Sequence, residues 1–122
     1  MPKHQNLPKG RLGEVIAEKF LIHHGYRIIT RNFKGRYGEI DIIATKKNTL
    51  IFIEVKTRWS NEYGSPEEAV TYWKLNSITR TAQYFKLTHP KLPESMQIDV
   101  VSVELGDENK LLRLHHLQNV TG

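Results

Sequence analysis

The sequence predicts an α/β protein in which helices flank a mixed β-sheet, with the elements in the order α-β-β-β-α-β-β. Two stretches carry apolar residues at helical spacing, and five shorter stretches are rich in β-branched and aromatic residues. The length of 122 residues predicts a single domain, and a composition of 39% hydrophobic and 25% charged residues is typical of a soluble globular protein.

The first element is a helix predicted over residues 11–24, after a flexible N-terminal arm of residues 1–10. Gly13 and Ala17 share the apolar face of this helix, and we expect these small residues to bring it close to the sheet. Glu14 borders the same face. Its side chain would therefore lean over the edge of the sheet.

A first strand is predicted at residues 26–32, and a hairpin follows with strands at residues 38–44 and 51–56. The polar segment between the hairpin strands predicts a turn of two or four residues, and either turn places Asp41 opposite Glu54. Side-chain alternation then separates an apolar face from a charged face. The apolar face would contain Ile40, Ile42, Ala44, Ile51, Ile53 and Val55. The charged face would contain Glu39, Asp41, Ile43, Leu50, Phe52, Glu54 and Lys56.

The second half of the chain predicts a helix and two strands. The helix begins at a capping box over Ser65–Glu68, is either continuous or broken near Trp73-Lys74, and ends near Leu87. The strands are predicted at residues 96–104 and 111–117, the second of them at an edge of the sheet. A polar loop that contains Trp59 would connect the hairpin to the helix.

Two acids inside strand patterns are the main indication of chemistry. Asp41 and Glu54 would face each other, and opposed like charges destabilise a sheet unless something neutralises them. A hard divalent cation such as Mg²⁺ binds carboxylate oxygens and would neutralise the pair. Lys56 follows Glu54 on the same face and would point toward the same place. The alternative is a strand end in solvent, where Lys56 neutralises one acid.

These residue types predict metal-assisted hydrolysis of a phosphodiester. Asp41 and Glu54 would hold one or two Mg²⁺ ions, which polarise the phosphate and lower the pKa of a bound water. Lys56 would orient that water or stabilise charge on the phosphate oxygens. Glu14 would complete the metal shell, directly or through water, or would be an ordinary surface acid. Glu39 would form a salt bridge with Lys56.

The charge of the chain predicts a polyanionic partner. The formal net charge is +5 and the isoelectric point is about 9.5, which favours a nucleic acid. Arg31, Arg36 and Arg58 are candidate phosphate contacts. Lys74 would contact a phosphate or lie in solvent on its helix. Trp59 would stack on an exposed base or anchor its loop to the body of the protein.

Several other residue types restrict the function further. The chain has no cysteine, which excludes disulfides, thiolate zinc sites and a thiol nucleophile. Asp99 lies within an apolar strand and is expected to be a hydrogen-bonded structural acid rather than a metal ligand. We find no signal peptide and no run of apolar residues that could span a membrane, and therefore expect a cytoplasmic protein.

Motifs spread over nearly the whole chain resemble the YraN family of small bacterial proteins. They are Gly13-Glu14 with Ala17, Gly25-Tyr26, Arg31-Asn32, Gly38-Glu39-Ile40-Asp41, Glu54-Val55-Lys56-Thr57-Arg58, Lys74, Ala82 and Asp99-Val100-Val101. The YraN family is placed in the PD-(D/E)XK nuclease superfamily, near the archaeal Holliday-junction resolvases. The proline of the superfamily motif has no counterpart, because Ile40 precedes Asp41.

The resemblance implies a restriction-endonuclease-like core in which Asp41, Glu54 and Lys56 match the metal ligands and the catalytic lysine. Glu14 matches the helical glutamate of the resolvases. A Mg²⁺-dependent endonuclease acting on DNA is implied, with Mn²⁺ as a substitute ion, structure-selective cleavage and a homodimer. A nucleic-acid-binding module without independent catalysis is one alternative, and an interaction protein stabilised by the charged cluster is another. The facing acids favour the nuclease, since a pure binding module needs basic groups.

Overall fold

The computed structural model describes residues 9–59 and 71–121, and within them the helices and strands follow the predicted order. The elements are α1 (Lys9–His23), β1 (Arg27–Gly35), β2 (Gly38–Lys46), β3 (Thr49–Trp59), α2 (Tyr72–Thr88), β4 (Ser95–Leu105) and β5 (Leu111–Leu117). A short 3₁₀ turn at Asp107–Asn109 precedes β5. The predicted α/β class, with a mixed sheet flanked by helices, is confirmed.

The five strands form one sheet in the order β1-β2-β3-β4-β5. β3 and β4 are parallel, whereas the other neighbours are antiparallel. Parallel neighbours need a crossover connection, and α2 lies in that connection. Lys46 pairs with Thr49 across the hairpin, so the turn has two residues, and Lys47 in it has a φ of 55°. Thr45 pairs with Leu50, as the sequence predicted.

The two helices cover opposite faces of the sheet. The core beneath α1 contains Leu12, Ala17, Leu21, Tyr26, Ile42, Ala44, Ile51, Ile53, Val101, Val103 and Leu105. The core beneath α2 contains Ile40, Ile43, Leu50, Phe52, Ile78, Ala82, Phe85 and Ile98. A β-carbon added to Gly13 would lie 1.7 Å from Thr57 Oγ1. Only glycine therefore permits this approach of α1 to β3, as we expected from the small residues on that face.

The alternation of side chains in β1 and β2 breaks at Asn32, apart from a register shift between Ile28 and Thr30. Arg31 pairs with Ile42, which packs beneath α1, yet two residues further on Phe33 pairs with Ile40, which packs beneath α2. Asn32 lies between them with a φ of 51°, in the left-handed region. The prediction that Ile40 shares a face with Ile42 is therefore wrong, because the left-handed residue interrupts the two-residue period of the paired strands.

Each helix has a defined first residue in the structure, and the start of α1 differs from the prediction. α1 begins at Lys9, so two residues of the predicted N-terminal arm are helical, and residues 1–8 lie outside the described part. α2 begins after Thr71, whose Oγ1 accepts a hydrogen bond from Lys74 N at 3.1 Å. The predicted capping box at Ser65–Glu68 lies outside the described residues. No helix within residues 9–59 and 71–121 is long and apolar enough to cross a membrane.

Candidate active site

Asp41 and Glu54 lie where the sheet divides. The ladder between β2 and β3 ends at the pair Ile42 and Ile53, one position before the two acids. Beyond this point β2 still pairs with β1, and β3 still pairs with β4. Asp41 Oδ2 accepts a hydrogen bond from Val55 N at 2.8 Å, so the carboxylate replaces a backbone acceptor of the ladder. The strands of the hairpin therefore separate at the acids.

The two carboxyl groups interact electrostatically, and burial is the largest cause of the change in the pKa of each. Glu54 is 6% exposed, and its burial together with the charge of Asp41 raises the pKa of Glu54 to about 7. Burial also raises the pKa of Asp41, against the opposing effect of the Val55 N–H. Glu54 Oε1 is buried without a hydrogen-bond partner among the described residues. This oxygen lacks a compensating donor or cation.

The pair fits the coordination chemistry of Mg²⁺. This ion commonly binds through one or two carboxylates and takes its other ligands from water and substrate phosphates. An unpartnered buried oxygen of Glu54 beside the Asp41 carboxylate is suited to that arrangement. In the described part of the chain, no three His, Cys, Asp or Glu side chains form a group that could enclose an ion by themselves. Such a site would depend on water or phosphate ligands.

Glu14 of α1 lines a pocket together with Asp41 and is held by Asn32. Burial, followed by the charge of Asp41, raises the pKa of Glu14. With its amide oriented to satisfy both neighbours, Asn32 donates to Glu14 Oε1 at 3.0 Å and accepts from Arg11 at 2.7 Å. Sequence reasoning missed Asn32 and Arg11 as parts of the site. The available signal was an asparagine inside a strand, since asparagine tolerates the left-handed backbone seen there.

Lys74 is the lysine that contacts the acids. Its Nζ lies 3.5 Å from Glu54 Oε2, and it extends the buried face of α2 one turn beyond Ile78. Lys56 shares a face of β3 with Glu54, as the alternation predicted, but its side chain is exposed. It makes no hydrogen bond or ion pair with any residue of the described ranges, so the predicted salt bridge with Glu39 is not formed.

The other predicted cationic contacts lie around the acids in different places. Arg31 makes a two-pronged ion pair with Glu18 of α1, with Nη2 2.7 Å from Oε2 and Nε bonded to Oε1. Both side chains line a pocket beneath α1 that Asp41 also lines. Arg36 lies in the turn between β1 and β2. Arg58 and Trp59 are the last two residues of β3, in the part of this strand that continues past the acids and pairs with β4.

Asp99 is the structural acid that the sequence predicted. It is fully buried and accepts hydrogen bonds from Tyr26 Oη at 2.9 Å, Gln97 Nε2 at 3.0 Å and Asn119 N at 2.9 Å. His116 Nε2 lies 2.8 Å from the same carboxylate. Burial raises the pKa of Asp99. The hydrogen bonds to its carboxylate, of which the one with His116 has the largest effect, outweigh burial and hold the pKa below its ordinary value. Asp99 therefore stabilises the α1 side of the sheet.

Comparison with known proteins identifies one family. The sequence profile described as "Uncharacterised protein family UPF0102" matches residues 13–103. A UPF0102 protein of Clostridium acetobutylicum is 41% identical over 114 residues, covering 93% of each chain. A second, from Clostridium botulinum strain Hall, is 44% identical over 113 residues and 90% of each chain. A third, from Syntrophomonas wolfei, is 38% identical over 93% of this chain and 97% of its own.

Proposed function

The chain belongs to the UPF0102 family, the YraN family that its motifs resemble, and on that premise we propose that it is a Mg²⁺-dependent endonuclease acting on DNA. One observation carries the proposal. Asp41 and Glu54 meet at the division of the sheet, and Glu54 Oε1 is buried without a hydrogen-bond partner among the described residues. A buried acid with a spare oxygen, next to the half-buried Asp41, suits a cation better than it suits a purely structural role.

Each described residue of the site has a role in the proposed hydrolysis. Asp41 and Glu54 hold the ion, and the Val55 N–H fixes one Asp41 oxygen so that the other remains available. A bound Mg²⁺ supplies polarisation of the phosphate and a water of lowered pKa. Lys74, next to Glu54, stabilises negative charge on the phosphate oxygens, and Lys56 orients the attacking water from the exposed side of β3.

Glu14 acts beside the ion rather than as one of its main ligands. Its carboxylate is held by Asn32 and lies in the field of Asp41. A carboxylate held in this way would accept a hydrogen bond from a water of the proposed site. Mn²⁺ substitutes for Mg²⁺ in this proposal because both ions prefer carboxylate and water ligands.

DNA is the proposed substrate because the chain is basic and the site is cationic at its edges. The net charge of +5 favours association with a phosphate backbone. Arg36 is exposed in the turn between β1 and β2, and Lys74 lies at the acids themselves. The proposal extends to the structure-selective cleavage and the homodimer that the family resemblance implies.

Cleavage assays with matched variants test the proposal. Purified protein is incubated with plasmid, single-stranded, flapped and four-way DNA, in Mg²⁺, Mn²⁺ or EDTA. We expect metal-dependent cleavage that Asp41→Ala and Lys56→Ala abolish while circular dichroism shows an unchanged fold. Lys110→Ala is the matched control, because Glu108-Asn109-Lys110 repeats the Glu-x-Lys pattern in a turn without a facing acid. Cleavage that survives in Asp41→Ala would show that the activity arises elsewhere.

The ion pair between Lys74 and Glu54 favours a second candidate function. A lysine that neutralises the acid without a metal is what a nucleic-acid-binding module with a nuclease fold would need. Binding without cleavage on every substrate, in both Mg²⁺ and Mn²⁺, would support this module and contradict the endonuclease.

A further inference from the structure

We propose that the first turn of α2 is a stacking surface for unpaired bases, so that the substrate carries a single-stranded segment beside the acids. This inference rests on the proposed function and specifies its substrate. Tyr72 and Trp73 are 75% and 76% exposed, more than any other aromatic residue in the described part of the chain. Their rings meet edge to face, with centroids 5.6 Å apart. Both rings are therefore displayed to solvent rather than used in the core.

The aromatic pair lies at the end of α2 that reaches the acids. Lys74 is the next residue in the chain, and its Nζ is 3.5 Å from Glu54 Oε2. A phosphate contacting Lys74 would place its adjoining bases within reach of Trp73 and Tyr72, since successive bases of a strand are only a few ångströms apart. The stacking surface and the proposed reaction centre are therefore neighbours.

A serine and an arginine continue the face of α2 on which Trp73 lies. Ser77 and Arg80 follow Trp73 by four and seven residues, so they share its side of the helix. The Arg80 guanidinium lies 5.2 Å from the centre of the Tyr37 ring, and that of Arg36 lies 5.9 Å from it. Such a row of aromatic rings and cations matches a single strand, whose bases stack and whose phosphates carry the charge.

The chemistry of this surface favours unpaired bases over a duplex or a protein. In a duplex the bases stack on one another, so the flat faces of exposed rings gain little from them. An apolar protein surface would leave the charges of Lys74, Arg36 and Arg80 without partners. An unpaired segment offers bases that stack on the rings and phosphates that pair with the cations.

Binding measurements in EDTA separate the substrates. Fluorescence anisotropy compares a labelled single strand, the blunt duplex of the same sequence and that duplex with a single-stranded tail. We expect Trp73→Ala and Tyr72→Ala to weaken binding of the strand and of the tailed duplex at least about fivefold, and to leave the blunt duplex nearly unchanged. Leu87→Ala is the matched control, because Leu87 is 78% exposed at the other end of the same helix.

Tryptophan fluorescence reports on the stacking directly. The chain has two tryptophans, so Trp59→Phe leaves Trp73 as the one tryptophan, whose emission is excited selectively over that of the tyrosines. We expect the single strand to quench its emission and the blunt duplex to leave it unchanged. Equal losses on all three substrates, or an effect of Leu87→Ala as large as that of Trp73→Ala, would overturn the inference. So would unquenched emission with a bound single strand.

The outcomes distinguish this inference from the proposed function. One outcome is that Asp41→Ala loses metal-dependent cleavage while Trp73→Ala binds the single strand as well as the wild type does. That outcome would support the endonuclease and reject the stacking surface. Failure of the wild-type protein to bind any of the three nucleic acids would reject both.

Discussion

Lys74 of α2 and Glu54 of β3 form an ion pair near the point where β2 and β3 separate, with Nζ 3.5 Å from Oε2. The other oxygen of Glu54 is buried and has no hydrogen-bond partner among the described residues. In the proposed metal site, Lys74 and the ion would therefore compete for the carboxylate of Glu54. In the absence of metal the lysine lowers the pKa of Glu54, although burial and Asp41 outweigh it.

Replacing the lysine is expected to expose this competition. Lys74→Met removes the ammonium group, so the metal-free protein should lose about 1 kcal/mol of stability, because Lys74 is partly exposed and its charge is screened. Mg²⁺ should then raise the melting temperature by more in Lys74→Met than in the wild type. Thermal unfolding in EDTA and in Mg²⁺ measures both effects, with Lys110→Met as a surface control. A smaller Mg²⁺ effect in Lys74→Met would contradict the competition.

The raised pKa of Glu54 predicts a dependence of stability on pH. The folded-state pKa of about 7 exceeds the ordinary value of 4.5, so folding favours the protonated form. This contribution is present below the ordinary value and is lost as the pH rises through about 7. In EDTA, Glu54→Gln should therefore be more stable than the wild type at about pH 8.5, and the difference should shrink at about pH 5. Urea unfolding at both values measures it, and a difference independent of pH would refute the assignment.

Asn32 is expected to act on Glu14 through its amide and on the strand through its backbone. Asn32→Gly keeps the left-handed backbone at a φ of 51° and loses only the amide. Cleavage should fall about tenfold while stability changes little, since groups that hold the ligands of a metal site typically carry that effect. Asn32→Ala should in addition lose about 1–2 kcal/mol of stability, because alanine is strained in the left-handed region. Equal stability of the two variants would contradict the backbone role.

Gly13 is expected to control how closely α1 approaches the sheet. The β-carbon of Gly13→Ala would lie 1.7 Å from Thr57 Oγ1, so either the Thr57 side chain or the helix, with Glu14 on it, must shift. We expect a loss of about 1–3 kcal/mol of stability, as is typical of overpacking. Thr57→Ala in the same chain removes the clashing hydroxyl and should restore part of the loss. Denaturant unfolding of the single and double variants measures this, and a double variant with no recovery would show that the clash lies elsewhere.

The hairpin register could be predicted from the sequence because it depends on local rules. A two-residue polar turn between β-branched strands leaves few pairings, and Thr45 pairs with Leu50 as expected. The same rules assigned Ile40 to the wrong face. That error has a specific cause, since nothing in the two-residue period signals a left-handed Asn32 opposite Asp41.

The sequence by itself determined the order of the elements, the α/β class, the acid pair and the close approach of α1, because these follow from periodicity, turn chemistry and residue size. Tertiary structure decided which cation contacts the acids. Lys74 and Glu54 are twenty residues apart in sequence and meet only because α2 crosses over the sheet to join β3 to the parallel β4. The crossover also places Trp73 and Tyr72 next to Lys74, at the end of α2 that reaches Glu54, a position that no local pattern encodes.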